Sequence, residues 1–167
     1  MTGGVNPEAK KIIAQLDLVR LPREGGFFRQ TWVSSARVAK GRAAASAIWF
    51  LLTPEDFSAW HRLRSEEMWH FHAGDPVEHV RLNPKSRQAD VTVLGADVLA
   101  GEQPQVLAAA GIWQAARLRQ VKRGRGWALV GCTVTPAWAD ADFELGRRAE
   151  LHRRFPRAAD WIVGLTR

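Results

Sequence analysis

Between Gly25 and Thr135 the chain never keeps one apolar period for long. It breaks into runs of four to nine residues, at 27–33, 44–52, 57–63, 67–72, 77–82, 91–94, 105–109, 113–118 and 127–135. Turn-forming residues close these runs, among them Thr53-Pro54, Gly74-Asp75-Pro76, Asn83-Pro84, Gly95 and Gly111. Short strands at this spacing predict an antiparallel sandwich or barrel rather than alternating strand and helix units. Only the two ends read as helical. At 7–18, Ile12, Ile13 and Leu16 recur at helical spacing behind an Asn6 cap and Pro7 in the first turn. At 146–155 and 158–165 two further helices are expected, separated by Pro156.

The chain has 167 residues, enough to bury a real core as one domain spanning 1–167, and 46% of them are hydrophobic. No apolar run approaches the roughly 18 residues of a membrane span. The start, Met1-Thr2-Gly3-Gly4, lacks a basic region followed by an apolar one, so a cytoplasmic address is expected. The single Cys132 cannot form an internal disulfide and fits a reducing compartment; lying mid-strand without a basic neighbour, it reads as a buried small residue. The net charge of +7 raises the question of nucleic acid. The excess is concentrated at 117–125 and 147–157, the second resembling the solvated face of a helix, and no nucleic-acid motif accompanies it. No nucleic-acid partner is expected.

Chemistry concentrates between Trp60 and Pro76. His61, Glu67, His70 and His72 fall within twelve positions, interleaved with Trp60, Trp69 and Phe71. Buried polar groups cost free energy unless paired, so imidazoles and a carboxylate among aromatics mark a candidate site. Strand alternation groups Glu67 with Trp69 and Phe71 on one face, and Glu66, Met68, His70 and His72 on the other. His61 and Leu63 share a parity of their own.

Phe57-Ser58-Ala59-Trp60-His61-Arg62 and Glu67-Met68-Trp69-His70-Phe71-His72-Ala73-Gly74-Asp75-Pro76 resemble the signature of the DUF985-type cupins, the Cupin_5 family of the RmlC-like cupin superfamily. Pro22-Arg23-Glu24-Gly25-Gly26 resembles that family's His-Pro-Glu-Gly-Gly opening, with Pro22 where its His would stand. Gly111-Ile112-Trp113-Gln114, the stretch from Trp127 to Pro136, and Ala141-Asp142-Phe143-Glu144-Leu145-Gly146 resemble later blocks. The resemblance implies an all-β double-stranded β-helix, a jelly-roll-like barrel with an N-terminal helix and C-terminal helices, and a homodimer. It implies little about the reaction, which must be argued from the site.

Set against the metal motifs of cupins at large, Glu67 with Gly74 six residues beyond takes the Glu position, His61 takes the first His position, and Leu63 replaces the second His. Gln114 replaces the His of the later motif. A divalent metal, with His61, Glu67 and Gln114 as its candidate ligands, is therefore one alternative: an amide is a weak zinc ligand, yet Gln stands beside His and Glu in cupin phosphomannose isomerases. The other readings are a hydrogen-bonded pair in the wall, and a base with its orienting carboxylate. No nucleotide cofactor is expected, since Gly25-Gly26 and Gly111 read as turn glycines with no helix at a phosphate-loop offset.

The leading expectation is a sugar isomerase or epimerase acting on a sugar or small polar metabolite. His61 would be the catalytic base, Glu67 the orienter or acid, and Gln114, Trp69, Phe71 and Trp49 would contact substrate at the cavity. The chain contains no Tyr, so the His–Tyr pair of cupin deoxysugar epimerases cannot operate here. The alternative is a non-catalytic small-ligand-binding module. Gln114, as an inward amide facing the cavity, is expected to be dispensable for packing. His70 and His72 are expected in a second layer or at a subunit interface.

Overall fold

The computed structural model describes residues 5–167. Eleven strands follow a short N-terminal helix: α1 (Pro7–Gln15), β1 (Val19–Arg20), β2 (Phe27–Val33), β3 (Ser46–Leu52), β4 (Ser58–Leu63), β5 (Glu66–Gly74), β6 (Val77–Leu82), β7 (Ala89–Leu94), β8 (Gln105–Ala108), β9 (Gln114–Leu118), β10 (Ala128–Thr135) and β11 (Phe143–Leu145). Two short helices, α2 (Arg148–Arg154) and α3 (Ala159–Gly164), close the chain around Pro156. None of these helices is long and apolar enough to cross a membrane.

The strands form two antiparallel sheets, ordered β1-β2-β3-β10-β5-β8 and β11-β4-β9-β6-β7. They face each other as a jelly-roll sandwich with an N-terminal helix and C-terminal helices. The expected closed barrel is replaced by two sheets with separate hydrogen-bond ladders. One core lies between them, where Phe50, Trp69, Val106 and Val130 meet Val77, Leu94 and Ala116. A second lies behind the five-stranded sheet, where Trp60, Val80, Leu82 and Trp113 pack on Leu151, Phe155 and Ile162 of the C-terminal helices. Both faces of that sheet are thus covered, which is why β4 is buried along nearly its whole length.

At the N-terminus the Asn6 side chain accepts the Ala9 N–H at 2.8 Å, and Pro7 occupies the first turn, as its missing N–H allows. The edge strands β1 and β11 were not expected. At two and three residues they are too short to display a period.

Candidate functional site

The site is assembled from one loop and two strands. On β4, a bulge between Ser58 and His61 in the pairing with β9 breaks strict alternation. Ser58 and His61, three residues apart, can therefore address the same group, the Glu24 carboxylate. Ser58 Oγ donates to Glu24 Oε1 at 2.6 Å, and His61 Nδ1 lies 3.9 Å from the same oxygen. Glu24 reaches this place because the chain turns sharply after it. Gly25 and Gly26 have φ of +103° and +75°, and a Cβ on Gly25 would come within 2.4 Å of the Phe57 carbonyl oxygen. The Glu24 carbonyl in turn accepts the N–H of Ala59 at 2.9 Å, tying the loop to β4.

From the opposite sheet, β5 supplies Glu67, whose Oε2 lies 3.8 Å from His61 Nε2. That is ion-pair distance, beyond a direct hydrogen bond. The imidazole is only 2% exposed, its Nδ1–H donates to the Ala59 carbonyl at 2.8 Å, and Phe143 of β11 stacks on it with ring centroids 5.5 Å apart. Burial alone would lower the pKa of His61. The carboxylates of Glu24 and Glu67, with the Ala59 carbonyl, outweigh it and push the value up to about 9. Glu24 is also raised, first by burial and then by the like charge of Glu67, against the opposing pull of His61. Near neutral pH the histidine is a cation between two acids.

Glu67 is held from behind. Gln114 on β9 donates its amide N–H to Glu67 Oε2 at 2.5 Å. Its carbonyl oxygen accepts the Trp69 indole N–H at 3.1 Å and lies 2.9 Å from His79 Nε2. An amide oxygen only accepts, so His79 carries its proton on Nε2. Burial, then the Arg81 charge, lower the pKa of His79 to about 4 against the Gln114 bond that favours the proton, and this imidazole is neutral.

A cavity of about 450 Å³ opens onto this group. His61, Glu67 and Glu24 line it together with Phe28, Ile48, Phe50, Leu63, Cys132 and Phe143, while Asp17, Arg23, Arg29 and Trp138 also contribute to its wall. The Cys132 thiol, 2% exposed, has its pKa raised by burial and by the nearby carboxylates, which keeps it protonated and inert.

The lining departs from expectation at four residues. Gln114 is 1% exposed and sits behind Glu67, outside the cavity wall, where three buried partners depend on it. It is a packing residue as well as a polar one, contrary to its expected dispensability. Trp69 is buried beside it, and Phe71 packs against the core further along β5. Trp49 alternates with Ile48 and Phe50, which line the cavity, so its side chain belongs to the outer face of β3. The aromatic walls come instead from Phe28, Phe50, Phe143 and Trp138. His70 and His72 do occupy the outer face. Gln105 Nε2 donates to His70 Nδ1 at 3.0 Å, and His72 is exposed beside Gly131. Sequence reasoning missed Glu24 and His79. The signal for Glu24 was its place before the glycine pair, at the Glu of the motif that Pro22-Arg23-Glu24-Gly25-Gly26 resembles.

The donor set does not fit a resident divalent ion. The Gln114 oxygen already accepts from two N–H groups, Leu63 stands at the second His position, and His61 Nδ1 is committed to a carbonyl. Among the described residues no cluster of three His, Cys, Asp or Glu is arranged to hold a metal.

The sequence matches the Cupin superfamily (DUF985) family over residues 10–146. No curated protein matches it. Among solved structures, a protein from Shewanella oneidensis is 34% identical, with 95% of this chain and 97% of that one covered and a TM-score of 0.86. A hypothetical protein from Leishmania major is 30% identical, covering 95% and 98%, with a TM-score of 0.85. Oxalate decarboxylase from Bacillus subtilis, at 11% identity, TM-score 0.55 and coverage of 90% of this chain and 37% of that one, shares the fold alone. On the matched residues and this architecture together, the chain belongs to the Cupin superfamily (DUF985) family.

Proposed function

We propose that this protein binds a small carbonyl compound in its cavity and isomerises or epimerises it by proton transfer. The observation that carries the proposal is a buried histidine flanked by two carboxylates on the wall of a largely apolar cavity. This reverses the role expected for His61. With a pKa of about 9 it is an acid at neutral pH, its Nε2–H able to donate to a carbonyl oxygen. Glu24, whose pKa is raised toward neutrality, is the better base. Its carboxylate takes a proton from the carbon beside the carbonyl while His61 protonates the oxygen. Glu24 then gives its proton back, either to the opposite face of an enol that has turned over in the cavity or to the former carbonyl carbon of an enediol. The neutral imidazole takes a hydroxyl proton, and both residues return to their starting states. Glu67, held by Gln114, keeps the imidazolium in place.

Eleven of the nineteen lining residues are apolar. That composition favours a substrate with an apolar body and one carbonyl over a sugar, whose hydroxyls each need a partner. The test is deuterium incorporation next to the carbonyl when a panel of 2-oxo acids, ketones and aldoses is incubated with protein in D2O. His61→Gln and Glu24→Gln should each slow exchange by roughly 10²-fold or more. Binding of a panel member without exchange in the unaltered protein would instead assign a non-catalytic binding module.

An exposed edge supports a homodimer. Among the described residues β1 pairs only with Phe27 and Phe28, leaving the outer edge of β2 from Arg29 onward without a partner strand, with Trp32 50% and Val33 46% exposed. A second copy would cover this edge and its apolar side chains. Sedimentation that finds only monomer at micromolar concentration would exclude it.

A further inference from the structure

We infer that the molecule carries a second site, a groove at the opposite end of the sandwich that takes the oligophosphate group of a small molecule through Arg119, Lys122 and Arg123. The two ends are related by β3. Ser46, its first residue, lines the acid–base cavity, whereas Thr53, just past its last, lines the groove. At the rise of an extended strand they are about 20 Å apart. The groove holds about 850 Å³ between the loop after β3, the loop joining β9 to β10, and the end of α3.

Its charge follows from partners. The segment 117–125 holds five basic residues and no acid. Arg117 is paired with Glu78 at 2.7 Å and lies over Trp161, and Arg125 is paired with Glu8. Arg119, Lys122 and Arg123 have no carboxylate partner among the described residues. The acids facing the groove are already committed. Glu78 holds Arg117, Asp56 holds Arg20 and Arg167, and Asp75 accepts the N–H groups of Arg125 and Gly126 at 2.8 and 2.7 Å.

The loop that presents the cations is also built. Asp75, 6% exposed, fixes its base. Gly124 packs so closely that a Cβ there would come within 2.6 Å of Asp75 Oδ2, and the Arg119 N–H is held by the Pro76 carbonyl at 2.8 Å. Thr53 also lines the groove, and its buried hydroxyl has no hydrogen-bond partner among the described residues. Three exposed cations on a loop whose backbone is held around a concave surface focus a positive potential, and two guanidinium forks match phosphate oxygens in geometry. One carboxylate would leave most of that charge unanswered, whereas a chain of two or three phosphates would answer it.

The experiment is titration of inorganic tripolyphosphate into the full-length protein at 150 mM salt, followed by calorimetry. One variant replaces Arg119, Lys122 and Arg123 with Ala; a second replaces Arg147, Arg153 and Arg157, removing equal charge from the C-terminal helices. Saturable binding that falls at least tenfold in the first variant and survives in the second is the expected result. No saturable binding, or equal loss in both variants, would overturn the site. So would a single-stranded oligonucleotide that binds at least tenfold tighter than tripolyphosphate through the same residues, since the groove would then serve a nucleic-acid backbone. The acid–base reading of the other cavity is untouched by any of these outcomes.

Discussion

His61 and His79 stand at opposite ends of one chain of polar contacts, an ion pair to Glu67 followed by the hydrogen bonds of Gln114, and are almost equally buried at 2% and 0% exposure, yet one is cationic and the other neutral. His61 is pushed up to about 9 and His79 down to about 4. Burial disfavours the charged form of both, so the difference lies in what each ring faces. His61 meets two carboxylates and a carbonyl, and its charge is compensated. His79 meets the edge of Trp69 and an amide oxygen, which asks for one proton only, while its Nδ1 has no partner. Gln114 stands between them and, having one donating and one accepting end, gives the chain its direction. The cavity side is charged because carboxylates face it, and the core side is neutral because burial is opposed there by a single amide oxygen.

The comparison breaks most severely at Gln114. Gln114→Leu would strand the Trp69 and His79 N–H groups and remove a donor from Glu67, all of them buried. At about 1–3 kcal/mol per orphaned group, the loss should be roughly 4 kcal/mol, or a fall in melting temperature of about 10 °C. Denaturant unfolding that shows a loss under about 1 kcal/mol would mean that the amide clamps nothing.

The pH dependence of stability should separate the two rings. A folded pKa of about 9 against 6.5 means His61 stabilises the fold fully below pH 6.5, and that this contribution is lost as pH rises towards 9. A folded pKa of about 4 means His79 resists protonation, so its stabilisation is present above pH 6.5 and lost as pH falls towards 4. Each limb is worth at most about 3 kcal/mol. Their sum peaks near pH 6.5. Glu24, raised by burial, works against the acid limb just above 4.5, so each limb is best read as the difference between unaltered and variant curves. His61→Gln should act mainly on the alkaline limb, with a smaller change near the Glu24 titration because Glu24 loses the pull of that cation, and His79→Gln should flatten the acid limb. If either substitution alters both limbs equally, the rings do not titrate independently.

A narrower probe is Glu67→Gln. Removing the charge 3.8 Å from Nε2 should lower the His61 pKa by about 1 or more, measured by nitrogen NMR of the ring, while His79 moves by less than about half as much. An unchanged His61 would assign its charge to Glu24 alone.

The strands and turns were legible because short apolar runs punctuated by Gly, Pro and Asn carry their own boundaries. Parity placed Glu67 inward and His70 and His72 outward, since β5 alternates visibly. It offers no guide for Trp49. The run at 44–52 is apolar apart from Ser46, so it shows no alternation that separates the face of Ile48 and Phe50 from that of Trp49. Glu24 was hidden for another reason: it is a loop carboxylate whose partner Ser58 lies 34 residues away, beyond any local pattern. His79 looked like an unremarkable strand residue, and Gln114, found by its spacing from Gly111, did not reveal that its three partners come from β5 and β6. The clamp is a product of three strands meeting and is written in none of them singly.

Trp69→Phe is the smallest and most discriminating change. It removes one of the two donors on the Gln114 oxygen and keeps an aromatic ring against Phe50 and His79. With His79 still donating at 2.9 Å, the amide cannot flip without turning its N–H₂ group toward another donor. Its orientation should therefore persist. The cost should be about 1 kcal/mol, that of one net hydrogen bond plus a small gap. The NMR-measured pKa of His61 should stay near 9, because Glu67 keeps its donor and its place. A fall in that pKa as large as the one Glu67→Gln produces would show that the indole, rather than His79, sets the direction of the amide, and that the neutral histidine is only packed against the chain it was thought to anchor.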